Sequence, residues 1–288
     1  MNDKKLIGFV YNPIVPHAER LVRDVVDGLN LADSCWITST KDTAISTDRL
    51  ECTSIVVTFG GDGSILKVAR LLAAHSVPIL GINLGRVGFM TELSVGQAKS
   101  QIKTYLDGNP RVDERMMLQA TVGTGVGEAR VVAHALNDVV LTRGVSTGLI
   151  DIATRIDDVL LTTYRADGLI AATPTGSTGY SLSAGGPILH PEAQDILIQP
   201  VAAHMSFQTG IVIPSDSVIC LDVNGEARSV LSVDGFSNIM VEPGEVVIVK
   251  KSPYTTQFLR NSAASTFYST LTQRLGMSGR QVPPQPDE

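Results

Sequence analysis

Gly60-Gly61-Asp62-Gly63 sets one carboxylate inside a glycine-rich turn. Glycines let a backbone approach a phosphate closely, and the amides that open a helix point at it. A carboxylate repels phosphate, so its presence in such a turn suggests chemistry. Asp62 can accept the proton of a hydroxyl that attacks a phosphoryl group. The alternative is turn chemistry alone, with Asp62 capping the helix that follows. A second segment, Asp167 to Pro187, is dense in hydroxyls and glycines and includes Thr173, Thr175, Gly176, Ser177, Thr178, Gly179, Tyr180, Ser181, Ser183, Gly185 and Gly186. Its small residues leave room for a ligand, its hydroxyls and bare amides supply hydrogen bonds, and Tyr180 can stack on a planar ring. A long turn whose Ser and Thr side chains satisfy their own backbone is the other reading. Two such loops, one in each half of the chain, suggest a ligand clamped in a cleft between two domains.

The elements that position these loops follow from periodicity. Ser54–Phe59 is an apolar run that reads as a buried strand, and Ser64–Leu72 has helical spacing, so the glycine turn joins a strand to a helix N-terminus. That is where open α/β sheets bind ligands. Leu6–Tyr11 and Cys35–Thr38 also read as strands, His17–Leu29 as a helix, Val77–Asn83 as a strand and Ser94–Leu106 as a helix stopped by Asp107-Gly108-Asn109-Pro110. Strands that alternate with helices predict a doubly wound parallel sheet. From about Arg115 the pattern turns strand-rich. Runs such as Val131–Leu141, Leu149–Ile156 and Val218–Val223 are divided by turn signals at Asp157-Asp158, Asn224-Gly225, Asp234-Gly235 and Pro243-Gly244. Two packed sheets are the simplest arrangement. A last helix is expected over Ala264–Leu275. The expected organisation is an α/β domain over 1–112, a β-sandwich over 113–258, a helix over 259–278 that packs back on the first domain, and a disordered tail over 279–288.

Composition bounds the function. The chain has 288 residues, 43% of them hydrophobic, and a net charge of −6. No basic cluster points to nucleic acid, and no apolar stretch approaches the ~20 residues that span a bilayer. The N-terminus leads straight into a strand-like run, which predicts no signal peptide. Cys35, Cys52 and Cys220 are widely spaced and form no metal or disulfide pattern, as expected in a reducing cytosol; Cys52 and Cys220 read as buried fillers. His75, His134 and His204 lack metal-ligand spacing, and His190 before Pro191 reads as a turn histidine. Ser177 and Ser181 have no accompanying His/Asp arrangement for acyl chemistry. The single tryptophan, Trp36, reads as core.

Taken together, Gly60-Gly61-Asp62-Gly63, Asn83-Leu84-Gly85-Arg86-Val87-Gly88-Phe89, Asn137-Asp138-Val139-Val140 and Asp167 through Pro191 resemble the NAD kinase family, in its order and spacing. The resemblance implies transfer of the ATP γ-phosphoryl group to the 2′-hydroxyl of the adenosine ribose of NAD, giving NADP, with Mg²⁺ or another divalent cation. It implies Asp62 as the base, adjoined by Gly63, with Gly60, Gly61 and Gly63 as the phosphate loop. It implies NAD contacts from Asn137, Asp138, Arg165, Asp167, Thr175, Thr178, Gly179, Tyr180, Ser181, Leu182 and Ser183. Lys67, one turn into the helix, can reach a phosphate or can be a solvated surface lysine. A cytoplasmic homodimer or homotetramer is also implied.

Three positions depart from the family pattern. Asp138 stands where glutamate is usual, Gly179 where alanine is usual and Phe236 where many members carry glutamine. These put affinity and cofactor choice in question more than the reaction. Two other readings remain open at this point: a related small-molecule or lipid kinase, and a non-catalytic NAD-binding sensor.

Overall fold

The computed structural model describes residues 6–42, 44–85, 88–124, 130–144, 148–204, 207–225 and 228–276. The chain divides into two compact units, one of Met1–Val68, Val77–Asp113 and Gln257–Glu288, the other of Ala69–Ser76 and Glu114–Thr256. The tail expected over 279–288 lies outside the described residues.

The first unit alternates strands and helices: β1 (Leu6–Tyr11), α1 (Ala18–Gly28), β2 (Cys35–Ser39), α2 (Thr47–Glu51), β3 (Thr53–Phe59), α3 (Asp62–Leu72), β4 (Ile79–Asn83), β5 (Leu93–Ser94) and α4 (Val95–Asp107). β2, β1, β3 and β4 lie side by side, all parallel, as connections through helices require. β1 and β3 are buried along most of their length, so each is a near-continuous apolar run. α1 turns Val22, Val25 and Val26 inward at helical spacing, to pack with Ile102 and Tyr105 of α4 and Phe9 and Phe59 of the sheet. α4 starts where the sequence says it should. Ser94 caps it, and Gln97 Oε1 accepts from the Ser94 amide at 2.9 Å. Trp36 is buried, as expected, and lies so close to Gly8 that a Cβ there would collide with its ring.

The second unit is built from strands: β6 (Arg111–Gly123), β7 (Val131–Ala135), β8 (Asp138–Arg143), β9 (Ile150–Ile156), β10 (Val159–Ala166) and β11 (Gly168–Ala172), then the single turn α5 (Tyr180–Ser183), then β12 (Asp195–Val201), β13 (Ile211–Pro214), β14 (Ile219–Val223), β15 (Ser229–Val233), β16 (Ser237–Val241) and β17 (Val246–Arg260). β13-β12-β11-β8-β15-β16 form one antiparallel sheet; β10-β9-β14-β17 run side by side in the other, with β6 joining β17 to β7. Leu118, Ile152, Tyr164 and Leu221 from one sheet bury against Leu141, Leu169, Ile198 and Leu231 from the other. At ~1.5–3 kcal/mol for each fully buried side chain, this interior outweighs any single polar contact in the loops it carries. The end of β17 returns to the first unit, where Phe258 pairs in parallel with Ile79, and is followed by α6 (Thr266–Arg274).

The run Val131–Leu141 is not one strand. It breaks at Leu136-Asn137 because the amides of Leu136, Asn137 and Asp138 leave the ladder and bond the Asp234 carboxylate, at 2.8, 2.7 and 3.1 Å. The turn signals also divide into two kinds. Asp157-Asp158 and Asp234-Gly235 adopt positive φ at both residues and close the hairpins β9–β10 and β15–β16. Asn224-Gly225 and Pro243-Gly244 instead carry the chain from one sheet to the other. Cys52 is exposed and Cys220 only half-buried, contrary to the expected fillers. Cys52 caps the C-terminus of the short α2, outside the strand proper, and Cys220 lies on a face of β14 where Cys220 and Asp222 alternate with buried Ile219, Leu221 and Val223. No helix among the described residues is long and apolar enough to cross a membrane.

Candidate active site

In the first unit, α3 begins at Asp62 directly after the turn that leaves β3. The Ser64 and Ile65 amides close back on the Gly61 carbonyl at 2.9 and 3.2 Å. A Cβ at Gly61 or Gly63 would meet nothing within 4 Å, so the turn faces open space, whereas one at Gly60 would collide with the Ser64 side chain. Asp62 does not cap its own helix. Its Oδ2 accepts from the Phe89 amide at 3.0 Å and its Oδ1 from the Met90 amide at 3.1 Å. Arg274 of α6 donates to Oδ2 at 3.0 Å. A carboxylate offers about four acceptor positions. Among the described residues these three donors leave one open, on Oδ1. Gly88 makes this possible, because a Cβ there would collide with Oδ1. The Arg274 guanidinium lies 4.4 Å from the Phe89 ring centre, and Phe267 packs on the same ring at 6.3 Å.

In the second unit, a cavity of about 360 Å³ is lined by Asn137, Asp138, Val140, Thr142, Tyr180, Ser232, Asp234 and Gly235. The polar loop after β11 folds against the β7–β8 break. Thr173 donates its amide to the Asn137 carbonyl at 2.8 Å and its hydroxyl to the Leu136 carbonyl at 2.6 Å. Gly176 sits so close to the Asn137 backbone that any Cβ would strike its carbonyl. Two buried polar atoms here have no partner among the described residues, Asn137 Oδ1 and Ser181 Oγ. Buried polar groups are normally bonded, so orphans in and beside a cavity fit a polar ligand.

The two buried carboxylates of the cavity differ in their surroundings. Asp234 accepts three backbone amides. The Asp138 carboxylate accepts no hydrogen bond among the described residues, and burial first, then the charge of Asp234, pushes it up to about 7. Burial also raises Asp234, against the pull of its amides and of Arg70. Asp138 therefore holds its proton to higher pH than an ordinary carboxylate does. Arg70 lies 5.8 Å from the Phe236 ring centre, so Phe236 offers a face to a cation.

The remaining sequence candidates scatter around this core. Thr175 is buried and accepts from Arg115 at 3.3 Å; Thr178 donates to the Thr175 carbonyl at 3.2 Å. Gly179 lies near the Asn137 amide nitrogen and Asp138 Oδ2. Leu182 is half-buried and Ser183 exposed. Asp167 pairs with Arg143 at 3.3 Å, and Arg165 points outward from β10; neither lines the cavity. Lys67 is half-buried on α3. Sequence reading missed Asp234, Ser232 and Arg274. Asp234 was visible only as a turn former, although an Asp-Gly turn whose aspartate is buried is itself a signal.

The chain matches the family model for the ATP-NAD kinase N-terminal domain over residues 30–109 and that for the ATP-NAD kinase C-terminal domain over 136–261. An NAD kinase of Dehalococcoides mccartyi is 38% identical over 282 residues, 96% of this chain and 98% of that protein. An NAD kinase of Chloroflexus aurantiacus is 33% identical over 94% of this chain and 99% of its own length. Among solved structures, yeast NADH kinase complexed with NADH shares the fold with a TM-score of 0.83 at 24% identity, covering 97% of this chain and 90% of its own. The NAD kinase of Archaeoglobus fulgidus in complex with ATP gives 0.74 at 24% identity, covering 92% and 98%. With both domain models matched in order and relatives aligned along nearly its whole length, the chain belongs to the ATP-NAD kinase family.

Proposed function

We propose that Asp62 is the general base of the reaction that family membership assigns to this chain, transfer of the γ-phosphoryl group of ATP to the 2′-hydroxyl of the adenosine ribose of NAD. The observation that carries the proposal is the seating of its carboxylate, fixed by the Phe89 and Met90 amides with one acceptor position of Oδ1 left open. A ribose hydroxyl is a weak nucleophile, so most of the gain comes from holding it in line with the phosphorus, and a further part from accepting its proton. The Gly60 amide is taken by the Ile82 carbonyl at 2.9 Å, so the amides of Gly61, Asp62 and Gly63 are the ones the turn offers to the phosphates. NAD is held by the second unit through Asn137, Asp138, Thr175, Thr178, Gly179, Tyr180, Ser181, Leu182 and Ser183. Asn137 Oδ1 and Ser181 Oγ supply acceptors that are otherwise unpaired. Arg165 and Asp167 stand outside the cavity and act, if on NAD, on its periphery.

No group of three or more His, Cys, Asp or Glu lies together among the described residues. A divalent ion carried by the ATP phosphates, as Mg²⁺ commonly is, is the form we expect. Its charge would offset the developing charge of the phosphoryl group. A cytoplasmic homodimer or homotetramer is the assembly we expect; light scattering on the purified chain measures it.

Asp62→Asn tests the base. NAD affinity should hold while kcat falls by ~10²-fold or more, the usual span of a base effect. Unchanged turnover removes Asp62 from the role. An equal loss of NAD affinity would make it a binding group instead.

A further inference from the structure

Resting on that reading, we infer that Arg274 is a second catalytic residue, one that contacts the γ-phosphoryl group of ATP as it is transferred. Its guanidinium donates to Asp62 Oδ2 at 3.0 Å. A hydroxyl whose proton Asp62 accepts must lie ~2.6–3.2 Å from the carboxylate. The phosphorus it attacks lies ~3–3.5 Å beyond that oxygen. The equatorial phosphoryl oxygens, where the charge of the transition state is spread, therefore form within reach of a guanidinium already touching the same carboxylate. An arginine has five N–H donors. Asp62 takes one of them, and the others have no acceptor among the described residues.

The geometry argues against a chance surface pair. An exposed ion pair is worth ~0–1 kcal/mol and needs no fixed orientation. Here the guanidinium lies 4.4 Å from the Phe89 ring centre, and the amide of that same Phe89 donates to Asp62. One residue thus seats both the carboxylate and the cation. α6 buries none of its own residues, so packing alone does not explain its placement, yet Phe267 and Arg274 both reach Phe89. The turn Gly60–Gly63 beside them is open at Gly61 and Gly63. A cation next to bare amides completes a polyphosphate-binding surface within the first unit.

The test uses the full chain, with NADP formation measured while ATP and NAD are varied in turn. Arg274→Ala should lower kcat by ~10²–10³-fold, the loss seen when one charge-stabilising donor is removed. KM for NAD should stay within about threefold, because uniform binding is untouched. Arg274→Lys should recover about tenfold, since it restores charge without the fork. Added guanidine hydrochloride at low millimolar concentration should raise the rate of the alanine variant and leave the parent unchanged, a response that a structural role would not give. Arg274→Gln, which keeps length and polarity, replaces the alanine variant if that one melts early. Turnover of Arg274→Ala within about threefold of the parent, or above it, overturns the inference and makes Arg274 a restraint on Asp62. A parent chain that forms no NADP at all refutes the kinase reading itself, and this inference with it.

Discussion

Replacing Asp138 by asparagine should make the protein more stable and less able to hold NAD, and the gain in stability should depend on pH. In the folded chain burial and Asp234 raise Asp138 from 3.8 to about 7. Between those two values the folded chain binds a proton that the unfolded chain has released. Stability therefore falls as pH rises from about 4 to about 7, and the loss is complete above it. At ~1.36 kcal/mol per pH unit, the gap amounts to ~4 kcal/mol, an upper bound because water at the cavity mouth screens part of the charge. Asparagine keeps the shape and carries no charge. The variant should thus lead by only ~1 kcal/mol near pH 4.5 and by ~2–4 kcal/mol at pH 8.5. Urea unfolding followed by far-UV circular dichroism measures this. Fluorescence would not, because the single tryptophan, Trp36, lies in the other unit. The slope against urea should be unchanged, so that the midpoint carries the difference. Above pH 7, where Asp138 is ionised, NAD binding should move the opposite way, since ligand hydroxyls lose a charged acceptor worth ~1.5–3 kcal/mol. A stability gap that is constant from pH 4.5 to 8.5 refutes the reasoning, for it would mean that Asp138 titrates as an ordinary carboxylate.

Two more outcomes follow from close contacts. Gly88→Ala would drive a Cβ into Asp62 Oδ1, so kcat should drop by ~10²-fold, much as in Asp62→Asn, with NAD affinity kept; steady-state kinetics with a separate NAD titration checks this, and unchanged kcat would show that the 88–90 loop yields freely. Glu92 is buried beside Arg260 at 3.2 Å and also accepts the Asn261 and Ser262 amides. Burial alone would raise it, but the Ser262 amide, Arg260 and the Asn261 amide outweigh burial and hold it below 4.5. Its contribution is therefore full above that value and lost as pH falls through the lower, folded value. Glu92→Gln should cost ~3 kcal/mol at pH 7 and progressively less in acid, read from urea midpoints across pH.

What the sequence showed and what it hid divide by range. β1, α1, β3, α3 and α4 were legible because each is decided within its own ten or so residues, by apolar spacing and by caps such as Ser94 with Gln97. The glycine turn and the polar loop after β11 were legible as residue types. The break at Leu136-Asn137 was not, because its cause is Asp234, 98 residues further along the chain. Apolar residues on both sides make Val131–Leu141 read as one strand; Asn137 and Asp138, poor strand formers, were the only local sign, and the partner that fixes the break is tertiary. Arg274 was invisible for the same reason, at a separation of 212 residues from Asp62. Cys52 was misread because an apolar neighbourhood in sequence does not fix which side of a helix end a residue faces.

The long-range contacts also explain how two aspartates of one chain come to opposite uses. Asp62 is surrounded by donors, whereas Asp138 accepts from none among the described residues. A carboxylate held by two amides and a guanidinium has little rotational freedom, so its remaining lone pair on Oδ1 points in one direction. In phosphoryl transfer the charge builds on the phosphoryl oxygens, and placement of the nucleophile contributes more than the strength of the base. A fixed acceptor suits that task. On the proposed reading Asp138, without donors among the described residues, leaves its acceptor positions to the hydroxyls of NAD, and the cost of burying it is offset when they bind. At 138 the backbone amide is clamped by Asp234 while the side chain lines the cavity, so a longer side chain would have to fit between the two. Asp138→Glu should therefore keep NAD binding but strain the clamp. A fall in unfolding midpoint without loss of NAD affinity is the expected result; unchanged stability would show that the Asp234 clamp tolerates the longer side chain.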